Sequence, residues 1–169
     1  SVGSDSLTNA GVLMGNVDLA SSGTLEKNTF RNESSAAYIS APGNGIVNLG
    51  RGGSFENFGV IDVGGLGKLG TLNINGGDAW LAGVARVDID SSGPGVQKND
   101  WIEANGVATI DGLAFQPNFI GVLPTPYTLM SGELVQHNPA QFSYSAASPI
   151  SWQTRSSTSN ITVTPSADF

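Results

Sequence analysis

Phe55-Glu56-Asn57-Phe58-Gly59-Val60-Ile61 repeats in outline two earlier stretches, Leu7-Thr8-Asn9-Ala10-Gly11-Val12-Leu13 and Phe30-Arg31-Asn32-Glu33-Ser34. Asn9, Asn32 and Asn57 hold the matching place, and the steps between them are 23 and 25 residues. That spacing belongs to repeat architectures. A unit of this length, built of short apolar strands broken by Gly and Asn, cannot bury its own hydrophobic side, so neighbouring units must cover it.

Working outward, Asn16–Leu19, Ile46–Leu49, Gly59–Val63, Thr71–Asn75 and Ala85–Asp90 alternate apolar and polar residues, and several are followed by Gly. Alternation puts one side of a strand inward, and Gly supplies the sharp turn. No segment keeps a 3.6-residue period beyond two turns, so helix is minor. Antiparallel hairpins and a wound solenoid both fit such strands. Hairpins favour two-residue Asn-Gly or Asp-Gly turns, and only Asn44-Gly45, Asn75-Gly76, Asn105-Gly106 and Asp111-Gly112 qualify. The recurring Asn instead favours a parallel β-helix, with Asn tolerated in left-handed geometry at a corner and stacked copies bonding between coils. Leu25, Ile46, Leu49, Phe55, Phe58, Ile61, Leu72, Ile74, Leu81, Val87 and Ile89 are expected to point inward.

Composition supports a folded chain of one domain. Glycine supplies 23 of 169 residues, about twice its usual share, without a collagen period. Charged residues are 12% against a usual 25% or so, while apolar residues reach 39%, which describes a Ser, Thr, Asn and Gly surface over a real core. The net charge of −7 repels phosphate backbones, so nucleic acid is not an expected partner. There is no cysteine, which rules out disulfides and thiolate metal sites. No signal-peptide pattern opens the chain and no apolar run approaches the ~20 residues of a membrane helix, so a mature fragment is expected.

From about Asp100 the texture changes. Trp101, Phe115, Phe119, Tyr127, Phe142, Tyr144 and Trp152 concentrate there, with Pro117, Pro124, Pro126, Pro139, Pro149 and Pro165. Large rings suit the closing of a solenoid end, and proline interrupts edge strands. The organisation expected is β-helix coils over 1–99 and capping coils of the same domain over 100–169.

The order of four pieces carries a resemblance: Gly70–Gly76, then Ala85–Asp90, then Asn99–Ile110, then Tyr127–Met130. Over about Ser54 to Thr164 the chain resembles the passenger domain of type V secreted autotransporters, in the segment just before the outer-membrane barrel. The resemblance implies a right-handed parallel β-helix with a C-terminal cap resembling an autochaperone segment. It also implies export to the bacterial cell surface, anchorage through an outer-membrane barrel that does not follow in this sequence, and a role in virulence. Host cell-surface or matrix molecules, or like chains, are the partners it implies. Passengers include adhesins, esterases and proteases, so the fold does not select among them.

His137, the single histidine, sits in a polar turn setting without a Gly-x-Ser-x-Gly elbow and reads as a solvated loop residue. Asp88, Asp90 and Asp100 flank a glycine-rich loop and raise the question of Ca²⁺ or hydrolysis, but the calcium-roll repeat is missing, and exposed turn acids are the better reading. Gly64–Gly70 with Lys68 lacks the Ser or Thr and the helix of a phosphate loop, and reads as a turn. Arg51, Arg86 and Arg155 suggest a polysaccharide lyase, yet lack an acid cluster at repeat spacing. No catalytic residue, cofactor or metal ligand is assigned. The expectation is a non-enzymatic stem and folding segment supporting adhesion. The alternative is a carbohydrate-binding or carbohydrate-processing β-helix that uses aromatic platforms such as Trp80 and Trp152.

Overall fold

The computed structural model describes residues 4–21, 27–143 and 151–166, without the side chains of Ser151 and Trp152. The first two coils have short pairs of strands: β1 (Ser6–Asn9) and β2 (Val12–Met14), then, after β3 (Val17–Asp18), β4 (Thr29–Asn32) and β5 (Ala37–Ile39). Longer strands follow: β6 (Gly43–Asn57), β7 (Val60–Asp62), β8 (Gly70–Leu81), β9 (Val84–Asp90), β10 (Trp101–Asp111), β11 (Ala114–Gly121), β12 (Tyr127–Asn138) and β13 (Gln141–Phe142). The chain then forms β14 (Ser151–Ser156) and β15 (Asn160–Ser166).

Strands consecutive in sequence do not pair through β13; each pairs with the strand one coil away. One sheet runs β1-β4-β6-β8-β10-β12 and the other β2-β5-β7-β9-β11-β13, with all of these pairs parallel. This is a parallel β-solenoid of about five turns. Parallel pairing needs a crossover, which here is the rest of the coil, so hairpins are excluded as its basis.

The long strands turn a corner. Register breaks between Asn48 and Gly53 in β6, between Ala104 and Ala108 in β10 against β8, and between Glu103 and Val107 in β10 against β12. Gly50, Gly52 and Gly76 lie there with φ of 71°, 92° and 85°, a conformation that strains other residues. Each coil therefore has three sides. The first comprises 43–49, 70–75, 101–105 and 127–131. The second comprises 53–57, 77–81, 107–111 and 133–138, and the β2-to-β13 sheet is the third. Positive φ is confined to glycine among the described residues. The repeating asparagines are thus strand residues and not left-handed corners, because glycine takes the corners.

Leu49, Phe55, Ile61, Leu72, Ile74, Leu81, Val87 and Ile89 are buried as expected. Two expectations fail. Ile46 is half-buried on the outer face, and Val47 takes the inward place beside Leu49. Phe58 lies outside too, with the Arg31 guanidinium 4.5 Å above its ring. In each case the residue stands three positions from a neighbour that does point inward, and a period of two forbids both from sharing a face. Leu25 lies outside the described residues. At the N-terminal end the core is aromatic: Phe30 stacks on Phe55 at 4.9 Å, and Tyr38 meets Phe30 edge-on at 5.2 Å.

Beyond Asp100 the stack continues through β10 and β12. Phe115 and Tyr127 join the shared core, Phe119 and Phe142 pack partly against it, and Trp101 faces outward. Tyr144 and Pro149 lie outside the described residues. The edge of the first side is closed by the β14–β15 hairpin, whose β15 runs antiparallel to β12. Pro117 sits in β11 beyond the two residues, Ala114 and Phe115, that pair with β13, so its missing N–H breaks no bond on that side.

Candidate functional site

The Asn repeat is a buried ladder. Asn9 Nδ2 donates to Asn32 Oδ1 at 2.8 Å, and Asn32 Nδ2 donates to Asn57 Oδ1 at 2.8 Å. The same nitrogens reach carbonyls of the next coil, Ala37 O at 2.9 Å and Val60 O at 3.0 Å, while Asn57 reaches Ala82 O at 2.6 Å. The ladder stops where Leu81 and Ile110 take the column. All three amides are buried, so they bind coil to coil and offer nothing to a ligand. A second ladder lies outside: Asn48 Nδ2 donates to Asp18 Oδ1 at 3.0 Å, Asn48 stands in register with Asn75, and Asn105 donates to Asn75.

The acids are also tied into the backbone. Asp100 Oδ1 accepts from Gly70 N at 2.7 Å and Oδ2 from Asp88 N at 2.6 Å. Asp88 accepts from Lys68 N at 2.9 Å and from Asn118 Nδ2 at 2.7 Å. Asp88 and Asp100 are therefore buried clamps on the 64–70 turn, not the exposed turn acids expected. Asp90 does hold its own turn, accepting from Ser92 N at 2.9 Å and from Ser92 Oγ. Those bonds hold the Asp90 carboxyl below the usual range. Burial pushes Asp100 up to about 8, against its two backbone hydrogen bonds and helped by the nearby charges of Asp88 and Asp62. Asp62 is also raised by burial, and Arg86 opposes the shift. Among the described residues no three His, Cys, Asp or Glu side chains are arranged to hold a metal ion.

The structure places Asp62, Arg86 and Gln116 in register across three coils of the third side, where a cleft of about 200 Å³ also takes in Asp88 and Asn118. Linear spacing hid this grouping of Arg86 with acids. The 64–70 stretch is a turn, as expected, with Gly64, Gly65 and Gly67 at positive φ. His137 is an exposed residue of β12, not of a loop, with its ring 5.7 Å from that of Trp80. Trp80 is 36% exposed on the second side, whereas the Trp152 side chain lies outside the described residues.

A different tryptophan forms the better-built site. Trp101, on the first side, is 37% exposed, and its Nε1 donates to Ser131 Oγ at 2.9 Å, which fixes the indole as an outward platform. The cleft around it measures about 480 Å³ and is walled by Thr71, Val96, Gln97, Asn99, Pro126 and Thr128, with Lys98. Gln97 Nε2 donates to Gly70 O at 2.9 Å, and Asn99 Nδ2 to Thr128 O at 2.7 Å, so each amide oxygen points away from those carbonyls. Sequence reading groups Trp101 with the capping aromatics. The signal available was its place one residue before Ile102, which in an alternating strand sends the two to opposite faces. No family model, curated protein or solved structure matches this chain.

Proposed function

We propose that this chain is a non-enzymatic structural stem, a segment of an autotransporter-like passenger that stacks coils and carries adhesive ones at the cell surface. In this reading an outer-membrane barrel anchors it, and partner recognition belongs mainly to the coils it supports. The observation that carries the proposal is the asymmetry of the stack. One end of the first side is closed by an antiparallel hairpin, while β1 and β2 terminate their sheets at the other. At that end Asn9 Oδ1 occupies the acceptor position that Asn32 and Asn57 use to receive the preceding coil, and among the described residues it is met locally, by Gly11 N at 3.1 Å. A further parallel coil bearing an Asn would extend both the ladder and the core, as nearest-neighbour stacking requires. The buried acids support the reading as well, since Asp88 and Asp100 hold backbone groups.

Surface display tests the proposal. The chain is placed between a β-solenoid reporter and an outer-membrane barrel, and protease resistance of the displayed reporter is compared with a fusion lacking the chain. Resistance is expected only when the chain is present; equal resistance without it overturns the stem.

A further inference from the structure

Beyond a stem, we infer that the outer face of the first side binds an extended oligosaccharide bearing carboxylates, with Trp101 as its stacking platform. The cleft at Trp101 meets a second one, of about 630 Å³, at their shared residue Pro126. The second cleft is walled by Gln153, Arg155, Asn160, Thr162 and Thr164 on β14 and β15. Strand register joins the two: Thr71 is opposite Trp101, Thr128 is opposite Thr162, and Thr162 is opposite Arg155. The surface therefore crosses five strands, β8 to β14, a span of roughly 19 Å at about 4.8 Å per strand. Both volumes fall in the range of small-molecule sites, and together they suit a chain of linked rings better than a single one.

The chemistry of the walls selects the ligand. Strands β10, β12 and β15 of this face are paired on both sides, so their backbone groups are consumed, and the one edge a peptide strand could join is the outer edge of β14, with β12 and β15 between it and the Trp101 strand. Recognition falls to side chains. They comprise one anchored indole, threonine hydroxyls, and the amides of Gln97, Asn99 and Gln153, a set that suits a ligand with apolar ring faces and many hydroxyls. Val96, 99% exposed at the tip of the 91–99 loop, and Pro126 add apolar wall beside the indole. Among the described residues, the charged ones lining the two clefts are Lys98 and Arg155, both cationic, in a molecule whose net charge is −7. Lys98 Nζ is turned to Gly93 O at 2.6 Å, which makes Arg155 the group placed to meet a sugar carboxylate.

The test is titration of the intact chain with tetragalacturonate and with neutral cellotetraose, followed by calorimetry and by the NMR signals of the indole N–H groups. Saturable binding of tetragalacturonate that moves the Trp101 signal and not the Trp80 signal is expected, with cellotetraose binding more weakly. Trp101→Ala should weaken binding about tenfold or more at unchanged melting temperature, as removal of an aromatic anchor does. Trp101→Phe retains a ring and should keep most of the affinity, which covers the case in which the alanine variant folds poorly. Arg155→Gln should weaken tetragalacturonate several-fold and leave cellotetraose unchanged. No saturable binding, or undiminished binding by a folded Trp101→Ala, overturns the site; equal affinity for the two sugars overturns its acidic preference.

Discussion

Asn32 is the residue on which the inner ladder turns, since it both receives Asn9 and donates to Asn57. Asn32→Leu matches the side chains that occupy the column in later coils, yet it strands the Asn57 oxygen and one N–H of Asn9, whose nitrogen keeps its bond to Ala37 O. A buried polar group left without a partner costs about 1–3 kcal/mol. The expected loss is about 2–4 kcal/mol in urea unfolding, and it should exceed that of Asn9→Leu, which breaks the ladder only at its end. Equal losses at the two positions would show that the amides act singly. Asp100 makes a pH prediction at the same scale. Its carboxyl is raised from 3.8 to about 8 in the folded chain, so between those values the folded state holds a proton that the unfolded state has released. Stability from this group is present below about pH 4 and falls as pH rises to about 8. Asp62, raised by the same burial, acts in the same direction. Urea midpoints should therefore decline from pH 5 to pH 8, and Asp100→Asn, less stable at the outset through the loss of an acceptor, should flatten that decline. A midpoint that climbs over this window contradicts the assignment.

At the scale of the element, the corners constrain the sequence most. Gly53 and Gly77 are opposite each other in β6 and β8, and a Cβ on Gly77 would stand 2.0 Å from Gly53 O. Backbone, not a flexible side chain, is the obstacle, so coil spacing itself would have to open. Gly77→Ala is expected to abolish cooperative unfolding or to cost more than about 3 kcal/mol, which lies in the range of severe core substitutions. Gly67→Ala is the control. Nothing lies within 4 Å of its added Cβ, and only its φ of 77° strains the residue, at about 1–2 kcal/mol. If the two variants lose the same stability, close stacking is not what fixes glycine at 77. Ile74, fully buried in β8, makes the complementary case: Ile74→Asp places a charge among apolar neighbours and should prevent folding, read as loss of the β circular-dichroism signal.

For the whole molecule, stability should be graded along the axis, because each coil touches only its neighbours and the two ends differ. The central strands β6, β8 and β10 each pair on both sides, whereas β1 and β2 each pair on one. Hydrogen exchange followed by mass spectrometry should show the amides of 6–14 exchanging fastest. Those of 71–81 and 102–110 should be slowest, and the β12 amides facing β15 should be protected nearly as well. Uniform protection from end to end would mean that the stack opens as one unit.

The amino-acid sequence by itself determined the coil. The recurrence of Asn9, Asn32 and Asn57 and the two-residue alternation of strands such as Thr71–Asn75 are local patterns, and they led to parallel winding and to most of the buried residues. It did not determine which of two apolar residues three apart faces inward, as Ile46 and Phe58 show, because strand phase is set by where the glycine corner breaks the register. The tertiary structure alone decided what the polar residues do. Asp62, Arg86 and Gln116 lie 24 and 30 residues apart in the chain yet form one column. Trp101 gains its cleft only when the 91–99 loop and the 126–128 stretch arrive beside it. Winding brings together residues one coil apart, and since coil lengths vary with each loop, only the folded register says which ones meet.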